Sequence, residues 1–287
     1  MNKLPKVFIV ILNYNGKNVL IDCLKSVFKI DYPEFQVLVV DNNSGDGSFE
    51  AARVAFSKCI FIKNEENVGF SAGNNIGIKY ALERAADYIF LLNNDTEVKG
   101  DFLSKLVAVA EKTPSVGLVS PIIFKDKSSN VWFSGGKIDW LRMKTKHDKN
   151  IFKNTPYNSD LITGCAMLVK AEVFKRIGLL DEDFFLYWED TDFSYRARKA
   201  GFLIVVAPES FVWHMENSNV LNKNKIYWLV ISGLIFFKKN TPLWLKPWIM
   251  FYVLLRKIKN KLDRKYKKNE IAEMVKKAYD DFKIAGF

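Results

Sequence analysis

Residues 7–16 read VFIVILNYNG. Six apolar residues, mostly β-branched or aromatic, run into the polar turn Asn13-Tyr14-Asn15-Gly16. That is the pattern of a strand buried on both faces that stops abruptly. The phrase recurs at 37–44, VLVVDNNS, and at 88–95, YIFLLNND, with another short apolar run at Ile60–Ile62. Between these runs lie three stretches of helical periodicity, Val19–Phe28, Ser48–Phe56 and Ser71–Ala86. Strands alternating with helices predict a parallel sheet covered by helices on both faces. All strands of such a sheet point the same way. The clusters Asn13-Tyr14-Asn15, Asp41-Asn42-Asn43-Ser44 and Asn93-Asn94-Asp95 should therefore share its carboxyl edge, where open α/β sheets bind ligands. Each cluster alone also reads as an ordinary turn. Three on one edge point to a site.

The rhythm continues with a helix Phe102–Glu111 and a strand Gly117–Ser120. Residues 121–160 then break it with Lys, Ser, Asn, Asp and Gly135-Gly136. Loops and short antiparallel strands facing a ligand are expected there. A strand Leu161–Val169, a helix from Ala171, a helix ending at Lys199 and a strand Phe202–Val206 complete the body.

The chain has 287 residues and a net charge of +11. A hydrophobic content of 49% and a mean hydropathy of −0.05 exclude a disordered chain and a polytopic membrane protein. Three scattered cysteines, Cys23, Cys59 and Cys165, exclude a disulfide framework and fit a reducing compartment. The first apolar run is too short for a signal-peptide core, so no targeting segment is expected. Residues 1–220 hold 27 basic and 27 acidic residues, and residues 221–287 hold 16 and 5, so the last 67 residues carry the whole +11. The expected organisation is a body over 1–220 and a basic, helical, amphipathic tail over 221–287. In that tail Ile226–Phe237 and Leu243–Leu255 are apolar but too short to span a bilayer. Trp228, Trp244, Trp248 and Tyr252 precede RKIKNKLDRKYKK. Aromatics followed by a polybasic stripe suit an anionic membrane surface. A helical cap on the body with a solvated basic end is the other reading.

The dinucleotide fingerprint and the P-loop are both absent. Gly69, Gly73 and Gly77 recur every four residues, which suits close approach to a ligand or plain packing on the sheet. A diphosphate would need another counter-charge. Asp95 could hold a divalent cation, and Mn²⁺ would also accept an imidazole. His214, after the last strand, could complete that site or simply pack. His147 sits in a Lys-rich loop and is expected to be exposed. The stretch 181–193, DEDFFLYWEDTDF, crowds six carboxylates among aromatics. Such surroundings raise carboxyl pKa values and suit a general base, while Glu189 or Asp190 at a helix start also suits capping.

Six ordered stretches, VFIVILNYNG, VVDNNSGDGS, NVGFSAGNN, LLNNDTEV, TGCAMLVKAEVF and FLYWEDTDFSYRARKAGF, resemble the family 2 glycosyltransferases. The likeness covers about 5–215 and is nearest to the bacterial rhamnosyltransferase-like branch. It implies a GT-A fold and inverting transfer from a dTDP- or UDP-linked sugar. It implies that Tyr14 lies beside the base, that Asp41 accepts the base N3–H, and that Asn93 and Asp95 occupy the DxD positions. It implies nucleotide-sugar contacts from Asn13, Asn15, Asn43, Gly69, Asn74 and Asn94, with Gly164 and Cys165 under the sugar. Asp95 and His214 would hold Mn²⁺ or Mg²⁺, with Asp190 as base and Glu189 beside it. Asn93 departs from the family's first DxD carboxylate. A polyprenyl-diphosphate-linked glycan is the implied acceptor, in synthesis of a surface polysaccharide such as O-antigen or capsule. The implied place is cytoplasmic, on the inner membrane face. A non-catalytic nucleotide-sugar-binding scaffold is the alternative, supported by Asn93. A sugar-phosphate nucleotidyltransferase would carry a Gly-rich basic signature where NYNGKNV stands. No nucleic-acid partner is expected, since the neutral body offers no basic groove.

Overall fold

The computed structural model describes residues 3–215, 223–267 and 270–284. The elements are β1 (Val7–Asn13), α1 (Leu20–Val27), β2 (Phe35–Asp41), α2 (Ser48–Ala55), β3 (Ile60–Lys63), α3 (Gly69–Glu83) and β4 (Tyr88–Asn93). They continue with β5 (Thr96–Val98), α4 (Phe102–Lys112), β6 (Val116–Lys125), β7 (Val131–Phe133), β8 (Gly136–Asp139), β9 (Lys144–His147), β10 (Tyr157–Asn158) and β11 (Ala166–Lys170). The last are α5 (Ala171–Ile177), α6 (Glu189–Lys199), β12 (Leu203–His214), α7 (Lys223–Asn240), α8 (Lys246–Lys267) and α9 (Glu270–Ile284).

The central sheet runs β10-β12-β6-β11-β4-β1-β2-β3. β1, β2, β3 and β4 are parallel, and β11 is antiparallel to both its neighbours, so the sheet is mixed. The apolar runs that predicted strands are its centre: Phe8, Ile9, Val39, Phe90 and Leu118 are all inaccessible to solvent. β1 register places Asn13 opposite Asp41 and Leu12 opposite Asn93, so the three polar clusters do meet at one edge.

Three expectations change. Of the strand expected over Leu161–Val169 only β11 forms, because Thr163-Gly164-Cys165 turn along the sheet edge instead. The last strand is longer than read, continuing to His214 past a bulge between Ala207 and Phe211. His147 belongs to the β8–β9 hairpin rather than a loop, with its ring edge-on to Trp132 and Phe133.

The apolar run in the tail is largely a cap on the body. Phe236 and Phe237 of α7 are fully buried against Trp188, Trp140 and Tyr195. Burial of each phenyl ring contributes roughly 1.5–3 kcal/mol. Polar ties fix the same helix: Asn240 Nδ2 donates to Asp192 Oδ1 at 2.8 Å, and Lys239 Nζ reaches Asp181 Oδ2 at 2.6 Å. The exposed apolar surface begins after α7. Trp248, Phe251, Leu255, Ile258, Leu262 and Tyr266 recur every three or four residues along α8, and all face solvent. That spacing puts them on one stripe of the helix. Among the described residues no helix is long and apolar enough to cross a membrane.

Candidate active site

A cleft of about 600 Å³ opens at the carboxyl edge of the sheet. Its floor comes from the ends of β4 and β12, and its sides from the 163–165 turn, the start of α6, the β7–β9 region and the start of α7. Tyr14, Asn93, Asp95, Gly164, Cys165, Glu189, Asp190 and His214 all line it. Tyr14 is half exposed.

Asp190 stands in the first turn of α6. Its Oδ2 accepts the Gly164 N–H at 2.9 Å, and its Oδ1 accepts the Thr191 N–H at 2.6 Å. Two backbone donors and the positive end of a helix hold the carboxylate in place. Glycine at 164 suits this approach, since a Cβ there would lie 3.1 Å from the Phe70 ring. The turn into α6 is strained: Tyr187 and Trp188 have φ of 67° and 71°. Positive φ at bulky residues persists only where the surroundings enforce it. Here α7 does so. Trp188 Nε1 donates to the Leu229 carbonyl at 3.1 Å, Ser232 Oγ donates to the Leu186 carbonyl at 2.8 Å, and Gly233 lies against the indole.

Glu189 differs from its neighbour. It is buried, its Oε2 has no hydrogen-bond partner, and burial followed by the Asp190 charge pushes its pKa well above the carboxylate range. This environment favours its protonated form.

Across the cleft His214 Nε2 lies 3.2 Å from Asp95 Oδ1. Antiparallel pairing of β5 with β12 sets this distance, with His214 opposite Thr96. Trp132 packs on the imidazole at 4.7 Å. The donor set fits a divalent cation: one carboxylate and one imidazole converge, and Asp95 Oδ1 is buried without a hydrogen bond. Among the described residues no third His, Cys, Asp or Glu joins them. Two protein ligands leave room for phosphate oxygens.

Other candidates are placed differently. Asp41 is inaccessible, and its oxygens accept from Asn13 Nδ2 at 2.7 Å, Ser44 Oγ at 2.6 Å and the Ser44 N–H at 2.8 Å. Asn94 Nδ2 donates to Asn13 Oδ1 at 2.8 Å. Asn15 and Asn43 adopt positive φ in the loops beside it, and Asn43 Nδ2 donates to the Glu65 carbonyl. Asn13, Asp41 and Asn94, with Asn15 joined through Ser44, form a polar network that does not line the cleft. Gly69 and Asn74 make packing contacts outside the cleft lining. Gly69 (φ 85°) packs on the Phe185 backbone, where a Cβ would sit 2.6 Å from the carbonyl oxygen. Asn74 is buried and donates to the Phe70 carbonyl. Gly73 and Gly77 fit against Leu12 and Val10 of β1, so the glycine repeat seats α3 on the sheet.

The sequence reading missed one wall. Trp132, Thr145 and His147 line the cleft together with Leu186 and Trp188. His147 presents its ring to the cleft, and surrounding protein lowers its pKa against the pull of Asp190. It stays exposed, as its Lys-rich neighbourhood suggests, and nothing in that neighbourhood signals that its hairpin borders the cleft.

The profile of Glycosyl transferase family 2 matches residues 8–178, more than half of the chain. The chain belongs to glycosyltransferase family 2. This glycosyltransferase is 26% identical over 209 residues to a dTDP-rhamnosyl transferase, RfbF, of Shigella flexneri, covering 72% of the chain and 68% of that protein. It is 26% identical over 203 residues to the N-acetylglucosaminyl-diphospho-decaprenol L-rhamnosyltransferase of Mycobacterium tuberculosis, covering 62% and 66%. The chain thus spans about two thirds of the length of these curated relatives. Its fold matches a solved structure of GalNAc-T7 with UDP, GalNAc and Mn²⁺ at a TM-score of 0.71 and 18% identity, over 99% of this chain and 55% of that one. It also matches the mannosyltransferase PcManGT of Pyrobaculum calidifontis with GDP-Man and Mn²⁺ at 0.62 and 16%, over 100% and 77%.

Proposed function

We propose that this glycosyltransferase moves a sugar, with rhamnose the leading candidate, from a dTDP- or UDP-linked donor to a polyprenyl-diphosphate-linked glycan, with inversion. The observation that carries the reading is Asp190, fixed by two backbone N–H groups at a helix start and facing the cleft across from Asp95 and His214. The names of the rhamnosyl relatives support the donor and the lipid-linked acceptor.

The acceptor hydroxyl approaches Asp190, which takes its proton. The freed oxygen pair forms a bond to the anomeric carbon as the bond to the diphosphate breaks. The leaving electrons stay on the diphosphate oxygen. One base and no enzyme nucleophile give a single displacement and inversion. Asp95 and His214 would hold Mn²⁺ or Mg²⁺, which supplies neutralising charge to the departing diphosphate. Glu189, whose protonated form is favoured by burial, can donate a hydrogen bond toward the sugars. Asn93, an amide in place of a carboxylate, leaves one fewer negative charge opposing the diphosphate. Trp132, Thr145 and His147 shape the acceptor side.

The exposed stripe of α8 lies on an anionic membrane face in this reading, which brings the cleft to the lipid. Lys246, Arg256, Lys257, Lys259, Lys261, Arg264, Lys265 and Lys267 stand on α8 against a single Asp263. Each basic residue near such a surface contributes about 1 kcal/mol.

The test is thermal stability with dTDP-rhamnose, UDP-glucose, UDP-galactose, UDP-N-acetylglucosamine and GDP-mannose, with and without Mn²⁺, followed by transfer to a lipid-linked acceptor. Donor at ~100 times its Kd should stabilise by ~2.7 kcal/mol. A shift with one donor, enlarged by Mn²⁺, and a product with inverted linkage are expected. Donor binding without transfer to any saccharide or lipid acceptor would overturn the enzymatic assignment in favour of a scaffold.

A further inference from the structure

A second cavity lies away from the cleft, between α7, α8, α9 and the β8–β9 turn. It is an open groove of about 370 Å³. That falls within the ~300–1,000 Å³ of ligand sites. Its floor is apolar, built by Leu234 and Phe237 of α7 and by Ile249 and Val253 of α8. Lysines of α7 and α8, Lys246 and Lys257 among them, stand around it. Thr241 also lines it, buried, and its Oγ1 has no hydrogen-bond partner.

We infer that this groove holds the hydrocarbon chain of the phosphate-bearing acceptor lipid, with the lipid's anionic group among the lysines. The inference rests on the lipid-linked acceptor proposed above and names where that lipid sits. Three observations select this occupant. The first is charge. The nearest α9 acids are engaged elsewhere, Asp280 with Lys276 at 2.8 Å and Asp281 with Tyr227 at 2.8 Å. Burial and the like charge of Lys283 hold the Lys257 ammonium pKa below its usual value, against the pull of Asp280. The rim therefore carries positive charge that an anion would relieve. The second is the route. α7 runs from the cleft, where Leu229 lines the wall, to the groove, where Phe237 lies on the floor. Eight residues of helix span ~12 Å. The cleft and the groove therefore share one helix, which lines both. The third is continuity. Exposed Trp244, Met250 and Phe251 extend the apolar surface outward from the groove, as a path for a chain leaving a bilayer would require. A second copy of the chain fits less well, since pairing α8 with itself would face eight cations with eight more.

The probe is farnesyl phosphate, titrated into the full-length protein by calorimetry, alongside farnesol, inorganic phosphate and phosphatidylglycerol vesicles. Val253→Trp fills the groove. Lys259→Glu/Lys261→Glu/Lys265→Glu alters only the outer basic face of α8. Circular dichroism checks both folds, and Thr241→Val with Lys246→Glu serves as a milder groove variant. Farnesyl phosphate should bind at least tenfold more tightly than farnesol or phosphate. Val253→Trp should weaken it tenfold or more while vesicle binding stays within twofold. The outer-face variant should lose vesicle binding and keep farnesyl phosphate. These outcomes are independent of turnover, so an inactive enzyme that still binds the probe fails the transferase reading alone. Equal binding of the probe by wild type and both groove variants would overturn the inference. So would parity with farnesol, or a vesicle loss in Val253→Trp that matches the probe loss, which would give the groove to bulk lipid. Binding only after removal of residues 285–287, or a dimer abolished by Val253→Trp, would assign it to the chain's own end or to a second copy.

Discussion

Replacing Asp190 by asparagine tests the chemistry at the atom where it is proposed to occur. The amide has the shape of the carboxylate but offers one acceptor oxygen in place of two. In the folded protein both oxygens are used, Oδ2 by the Gly164 N–H and Oδ1 by the Thr191 N–H. The amide side chain of Asp190→Asn can satisfy one of them and must turn its NH₂ toward the other. The structural cost is one hydrogen bond to a charged acceptor, ~1.5–3 kcal/mol, reduced where water reaches this half-buried group. The fold should survive, because neither the strained turn at Tyr187 and Trp188 nor its contacts with α7 involve the Asp190 carboxylate. The catalytic cost is larger. A positioned base contributes ~10²–10⁴-fold in rate, which is ~2.7–5.5 kcal/mol of barrier at about 1.36 kcal/mol per decade. The assay is product formation by mass spectrometry at saturating donor and acceptor, with donor affinity measured separately. The expected result is a kcat at least a hundredfold lower, with donor Kd changed by less than threefold. A folded Asp190→Asn protein with wild-type kcat would refute the assignment of the base and the direct displacement built on it.

Glu189→Gln should behave in the opposite way, leaving the fold secure and gaining stability over wild type as the solution becomes more alkaline. A carboxyl whose folded pKa is raised contributes stability that is complete below its unfolded pKa and is lost as pH rises through the folded pKa. The difference in Tm, variant minus wild type, should therefore grow with pH, and a flat difference would show that Glu189 ionises in place. His214→Ala should abolish most of the Mn²⁺-dependent part of the donor-induced Tm shift, and an unchanged Mn²⁺ response would remove His214 from the cation site. Trp188→Phe loses the bond to the Leu229 carbonyl and part of the contact with Phe236 and Phe237. It should lower stability by ~1–3 kcal/mol and lower kcat more than it raises KM, with urea unfolding and steady-state kinetics as the measurements. Trp248→Ala with Leu255→Ala on the exposed stripe should reduce pelleting with anionic vesicles without altering Tm by more than a few degrees, and undiminished pelleting would count against the membrane face.

What could be read in the sequence was whatever a single element declares by itself. A buried strand ending in Asn or Asp declares both its depth and its edge, so β1, β2 and β4 and their convergence were legible from three short runs. The Glu189-Asp190 pair was legible as a site but not as two different groups. Their separation depends on Gly164, 26 residues away, donating to Asp190 while the Oε2 of Glu189 is sealed without a hydrogen bond. The glycine repeat on α3 left two readings open, because close approach has the same signature whether the neighbour is a phosphate or Leu12, and Gly73 and Gly77 take the packing one. His147 and Trp132 escaped because they lie on separate short strands, β9 and β7, that meet only in the folded chain. The apolar run 226–237 suggested an interface or a cap, and only the folded chain shows that it packs on Trp188 and Trp140 of the body. The consequence reaches function. α7 holds the backbone of the turn that presents Asp190, and its far end floors the groove proposed for the lipid chain. A segment that composition separates from the body thereby links the carboxylate proposed as the base to the surface proposed for the acceptor lipid.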